Sequence, residues 1–205
     1  MEEIVSITHQ RNKVILLLSS SERISLTKDD FLERPLNEGD AIDLDEYDRW
    51  LLLRQYRPAL NKAVALLAVR ARSKGEIEQK LLAAGYRPCT AEMVVYKLEK
   101  EHLLNDAEFA AQWAESRIRS KVGSRRIAME LRRKGVSADE TADALESIPE
   151  DEQLRNAVTL AEKAIARAKT GEDRRKTYQR TAALLSRRGY SWEITKAALD
   201  EIFRR

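Results

Sequence analysis

The sequence predicts a mainly α-helical protein: three tandem three-helix repeats forming an elongated curved array, preceded by a small N-terminal β-rich (α+β) module. Three observations carry this expectation. Seven glycines and four prolines in 205 residues are about half the usual share, which leaves long stretches free of helix breakers. A leucine–glycine–apolar–hydroxyl pattern recurs three times at a period near 50 residues, as in stacked supersecondary units. Residues 1–44 read differently, as short β-branched runs separated by polar turns.

The first runs are Ile4-Val5 with Ile7, then Val14 to Leu18, then the alternating Arg23-Ile24-Ser25-Leu26. They suggest a small meander. Thr27 followed by Asp30 has the form of an N-cap before a helical turn through Phe31 and Leu32. Residues 37–40 read as a turn and Ala41 to Leu44 as one more strand. So short a sheet needs a surface to pack on. Residues 45–58 then read as a linker helix ending near Pro58, and the units follow as 59–104, 105–149 and 150–205. The Thr170-Gly171 connection is a candidate hinge in the last of them.

The repeat has a physical reading. Gly85, Gly135 and Gly189 are each preceded at −4 by Leu81, Leu131 or Leu185, and followed by Tyr86, Val136 or Tyr190. The leucine packs inward, and the glycine ends the helix in a left-handed conformation. Thr90, Ser137 or Ser191 is then expected to cap the next helix, with Leu98, Leu145 or Leu199 eight positions on. Ser73 with Glu76 and Ser137 with Glu140 have capping-box spacing. Each unit opens with a longer helix. The first presents Leu60, Val64, Leu67 and Ala68. The second starts at an Asp106 cap and presents Phe109, Trp113 and Ile118. The third runs through Leu154, Val158, Ala161 and Ile165. The first unit has three extra loop residues, Arg87-Pro88-Cys89.

Catalysis finds no support. There is no phosphate-binding glycine loop and no nucleophile elbow, so no catalytic residue is assigned. His9, His102 and the single Cys89 do not match common zinc spacings, so neither metal nor cofactor is expected. A lone cysteine forms no intrachain disulfide, which points to a reducing, cytoplasmic setting. No apolar run approaches the ~20 residues of a membrane span. A monomer is expected.

The chain carries 37 basic and 34 acidic side chains, unevenly spread: residues 1–60 are net acidic and the rest net basic. On the helix from Ser124 to Lys134, Ile127 and Leu131 face one way, while Arg125, Arg126, Arg132 and Arg133 fall within an arc of roughly 120° on the other. Lys176, Arg180 and Arg187 line one side of the matching helix of the third unit, whereas the first unit has Glu76, Glu78 and Lys80 there. A solvated polar face is the plain reading. A polyanion site, for DNA phosphates or an acidic protein surface, is the functional one. The predominance of arginine, whose planar fork suits phosphate and carboxylate, favours it. Trp113 and Tyr178 sit at core spacing.

At these residues the chain resembles the RecX family of regulatory proteins. The motifs are Arg70-Ala71-Arg72-Ser73, Glu76-Ile77, Lys80-Leu81 and Gly85-Tyr86 in the first unit. In the second they are Leu103 to Asp106, Phe109-Ala110, Trp113, Gly123, Arg125-Arg126-Ile127, Glu130-Leu131 and Lys134-Gly135. In the third they are Leu185, Arg187 to Ser191 and Ile194. Two departures are His102, where glycine is common, and Ser19-Ser20-Ser21 in place of a glycine-containing hairpin turn. The resemblance implies a non-enzymatic protein that binds RecA filaments on single-stranded DNA along their groove. It would dampen strand exchange, ATP hydrolysis and the coprotease activity of the SOS response. Single- or double-stranded DNA is implied as a direct partner in some members. Two alternatives stand beside it: a DNA-binding repeat protein acting without RecA, and a helical scaffold for another protein.

Overall fold

The computed structural model describes residues 1–167 and 173–204, so the Thr170-Gly171 connection lies outside the described residues. The chain divides into two compact units, residues 1–105 and 106–205.

The first unit begins with strands β1 (Glu2–His9), β2 (Lys13–Leu18) and β3 (Arg23–Thr27), joined antiparallel as the meander predicts. A short β4 (Ala41–Ile42) pairs with β1 and gives the order β3-β2-β1-β4. Alternation sends Val14, Leu16, Leu18, Ile24 and Leu26 to one face, where they pack on Tyr47 and Leu51. The turn after β2 places Ser21 at φ +69, so this all-serine turn adopts a conformation that glycine would take more easily. Helix α1 (Lys28–Glu33) starts where expected, with the Thr27 side chain accepting from the Asp30 amide. The fourth strand is shorter than the sequence suggests, because Asp43 leaves it to cap the next helix.

That helix, α2 (Leu44–Val69), runs straight through Pro58 and covers both the stretch read as a linker and the first helix of the first repeat. Pro58 has no N–H to give the Arg54 carbonyl. The helix continues because its two halves are packed in two cores. Tyr47 and Leu51 lie under the sheet, and Ala59 and Ala63 lie against the repeat. The inward residues of this second half are the small Ala59 and Ala63; Val64 and Ala68, expected inside, are exposed.

The repeat continues with α3 (Lys74–Ala83) and α4 (Pro88–Lys100). Arg87-Pro88-Cys89 does not extend the loop: Pro88 and Cys89 form the first turn of α4, and Thr90 is buried inside that helix instead of capping it. In the second unit α5 (Asp106–Arg119), α6 (Ser124–Arg133) and α7 (Ala138–Glu146) form one triplet. Helices α8 (Glu150–Ala166), α9 (Arg174–Arg188) and α10 (Trp192–Arg204) form the next. Asp106 is a buried first-turn residue of α5.

The glycine pattern corresponds to one motif used three times. The amides of Tyr86, Val136 and Tyr190 reach back to the carbonyls of Leu81, Leu131 and Leu185, at 3.2 Å in each case. The glycines between sit at φ +97, +80 and +91. This is a helix stop in which the residue after the glycine also packs on the leucine, which explains why both positions are apolar. The same six-to-one bond joins Leu103 to Leu98 across His102, at φ +57. Histidine thus holds a left-handed position that glycine would occupy without strain. Both capping boxes form, at Ser73 with Glu76 and Ser137 with Glu140, and the Ile194 amide donates to the Ser191 hydroxyl.

Candidate nucleic-acid interface

In the second unit the start of α6 meets the end of α9. The Gly123 amide donates to the Arg188 carbonyl and the Arg125 amide to the Gly189 carbonyl, both at 3.0 Å. The donors are N-terminal groups without partners in their own helix, and the acceptors are C-terminal ones, so each end satisfies the other. The two helix dipoles also meet head to tail. The approach tolerates no side chain. A Cβ on Gly123 would lie 2.4 Å from main-chain atoms of Gly189 and Tyr190. One on Gly189 would lie 2.5 Å from the Arg126 nitrogen. The Asn156 side-chain amide, donating to the Ile118 carbonyl at 3.2 Å, adds a further tie between the two triplets.

This seam gathers arginines. Arg125 and Arg126 leave from the first turn of α6, and Arg187 and Arg188 from the last turn of α9; all four are exposed. Arg126 is held in place: its Nε donates to Glu130 at 3.2 Å, and an Nη1 approaches the Arg187 carbonyl. Glu130 also takes two bonds of 2.7 Å from Arg117 and one from the Trp113 indole. Burial alone would raise the Glu130 carboxyl, but these donors outweigh it and hold the group below the ordinary carboxylate value. Arg125, Arg132, Arg133, Arg187 and Arg188 make no ion pair among the described residues. Their charge is available to an outside anion.

The sequence-predicted residues therefore separate into groups. Arg125, Arg126 and Arg187 come together at the seam. Arg132 and Arg133 lie about 10 Å further along α6, and Lys176 about 16 Å up α9 from Arg187, by helix rise. Arg180 lies between, also exposed. Arg188 and the counter-charge Glu130 appear in the sequence only as motif residues and not as site residues. Glu130 was readable as an i+4 partner of Arg126, whereas Arg188 joins the group only through the contact between helices. Trp113 and Tyr178 are half-buried as expected, the Trp113 ring packing with Phe109 and the Lys134 ammonium.

Among the described residues no group of three or more His, Cys, Asp or Glu gathers as metal ligands, and no helix is long and apolar enough to cross a membrane. Three family profiles match in tandem: RecX first three-helix domain at 59–98, second at 105–145 and third at 150–199. The regulatory protein RecX of Mycolicibacterium smegmatis is 34% identical over 137 residues, covering 65% of this chain and 73% of that protein. That of Enterococcus faecalis is 29% identical over 204 residues, covering 98% and 76%, so the match includes the N-terminal sheet. Among solved structures, a crystal structure of regulatory protein RecX aligns over 100% of this chain and 99% of its own, with TM-score 0.65 and 20% identity. RecX from Lactobacillus salivarius aligns over 75% and 99%, with TM-score 0.69 and 23% identity. These last two are similarities of fold.

Proposed function

The chain belongs to the RecX family of regulatory proteins, and from that premise we propose that it binds RecA–single-stranded DNA filaments along their groove and restrains them without catalysing a reaction. Strand exchange, ATP hydrolysis and SOS coprotease activity would all fall. The observation that supports this most directly is the tandem run of three family domains, at 59–98, 105–145 and 150–199. Tandem domains offer several weak contacts at once, and linked contacts gain from effective concentration. The exposed arginines of α6 and α9 supply the charge for an acidic protein surface or for DNA. The protein acts as a cytoplasmic monomer. Adding it below stoichiometry to a RecA ATPase or strand-exchange assay is expected to lower the rate, and no effect at any ratio rejects the reading.

The unpaired arginines favour a second reading, direct DNA binding independent of RecA. Binding to duplex would then weaken with salt, with a log–log slope of roughly −0.9 per neutralised phosphate. Reversal of Arg125, Arg126, Arg132 and Arg133 to Glu is expected to abolish it. Inhibition of RecA that survives this reversal separates the two activities.

A further inference from the structure

Three residues beyond Gly189 the chain presents Trp192, the first residue of α10. Tyr190 turns inward and is buried, but Trp192 is 56% exposed. The other two tryptophans, Trp50 and Trp113, pack against core clusters. Among the described residues no aromatic ring packs on the Trp192 indole and no cation sits over its face, as Phe109 and Lys134 do on Trp113. Burying so large an apolar side chain is favourable, and nothing in its own unit does so.

Its surroundings are cationic. The Gly189–Tyr190 main chain lies directly on Gly123 and Arg126, so the α10 start sits beside the α6 start. Glu193, the neighbour of Trp192, is held below the ordinary carboxylate value by its own backbone amide, then by Ser191, and further by the charge of Arg125. That places the Arg125 guanidinium within electrostatic reach of the α10 first turn. Arg187 and Arg188 close the last turn of α9, five and four residues before Trp192 across the Gly189 turn. Glu130 at this seam is taken up by Arg117 and Arg126, which leaves Glu193 beside three arginines, Arg125, Arg187 and Arg188, that make no ion pair among the described residues.

An exposed indole flanked by unpaired arginines is the arrangement that holds an unpaired base on its ring and the adjoining phosphates on the cations. A duplex keeps its bases stacked on each other and gains only from the charges. We propose that Trp192 is a stacking platform for a base of single-stranded DNA, with Arg125, Arg187 and Arg188 holding the flanking phosphates. This rests on the reading of the seam as a polyanion site, and adds to it a preference for single strands over duplex.

The test compares binding of the full-length protein, Trp192→Ala and Trp192→Phe to a short oligothymidylate, to the same strand with abasic sites, and to a duplex. Trp192→Ala is expected to weaken oligothymidylate binding by about 5- to 150-fold, the range of base–aromatic stacking. Trp192→Phe should retain most of the affinity, duplex binding should not move, and the abasic strand should bind wild type and Trp192→Ala alike. Equal losses on duplex or abasic strand overturn stacking. Unchanged oligothymidylate binding overturns the platform while leaving the arginine reading intact. If wild type binds neither strand even at low salt, the arginine reading fails and this proposal falls with it. Loss of RecA inhibition in Trp192→Ala with oligothymidylate binding intact would assign the ring to a protein surface instead and overturn the proposal.

Discussion

Residues 1–105 and 106–205 each join two pieces of structure, but by different means. In the first unit Gly85 also lies close on a main chain, that of Leu26 in β3, but the hydrogen bonds of the joint run through side chains. Asp30, only 3% exposed, accepts from Gln55 at 2.6 Å, from Thr27 at 2.6 Å and from Arg54 at 3.2 Å. The Gln55 carbonyl oxygen in turn accepts from the Arg87 amide and the Thr90 hydroxyl, and Arg87 reaches Asp48 at 2.8 Å. This network ties sheet, α2 and α4 together. In the second unit the corresponding joint is made by peptide groups. The difference also sorts the charge. Arg54 and Arg87 of the first network are engaged with carboxylates, whereas Arg125, Arg187 and Arg188 at the seam make no ion pair among the described residues. A side-chain joint consumes cations, and a main-chain joint leaves them free to face outward.

The strongest way to break this comparison is at the seam. Gly189→Ala is expected to destabilise by about 3 kcal/mol, because a left-handed residue gains a Cβ and that Cβ meets the α6 main chain. Gly123 has φ −75, so Gly123→Ala isolates the collision alone, at about 2 kcal/mol. Gly39 at φ +90 faces open space and serves as the control, at about 1 kcal/mol for Gly39→Ala. Denaturant melts measure all three, and a Gly189→Ala no worse than Gly39→Ala would mean the seam is loose.

In the first unit, Gln55→Ala is expected to cost about 2 kcal/mol, since it leaves the Arg87 amide and the Thr90 hydroxyl without their acceptor. Hydrogen exchange should rise in β3 and α4 while the second unit stays protected. Uniform loss of protection would contradict the assignment of this network to one joint.

Alkaline pH probes both units with a smaller effect. Burial pushes Tyr47 and Tyr190 each up to about 12, from an ordinary value of 10. The folded-state value is raised, so the stability each contributes is fully present below pH 10 and declines as pH climbs towards 12. Tyr47→Phe should remove this dependence in the first unit and Tyr190→Phe in the second, as read by pH-dependent melts. Neither hydroxyl has a hydrogen-bond partner among the described residues, so both variants should be near neutral at pH 7.

The smallest expected effect sharpens the contrast in charge. Arg132→Ala and Arg133→Ala should shift stability by less than about 0.5 kcal/mol, as exposed residues without partners. Arg87→Ala, whose side chain is mostly covered and paired with Asp48, should exceed them in the same melt.

Much of this architecture is local and therefore legible. Gly85, Gly135 and Gly189 mark helix stops because the six-to-one bond involves only nearby residues. The strands alternate visibly, and the α6 arginines follow from helical period. The misreadings occur where a distant contact decides. Pro58 looks like a terminus, yet packing on both sides carries α2 through it. Thr90 sits at a capping position in the repeat, yet its hydroxyl is drawn to Gln55, 35 residues earlier. Gly123 falls outside the repeat pattern, and its need to be glycine arises from Gly189 across the seam.

The meeting of Gly123 with Gly189 imposes one demand on heredity: two positions must stay bare. Peptide groups are the same whatever residues surround them, so the neighbouring side chains are free to change size and sign. Descendants of this chain could retune what the surface grips, exchanging arginine for lysine or indole for phenol, while the underlying joint is inherited intact.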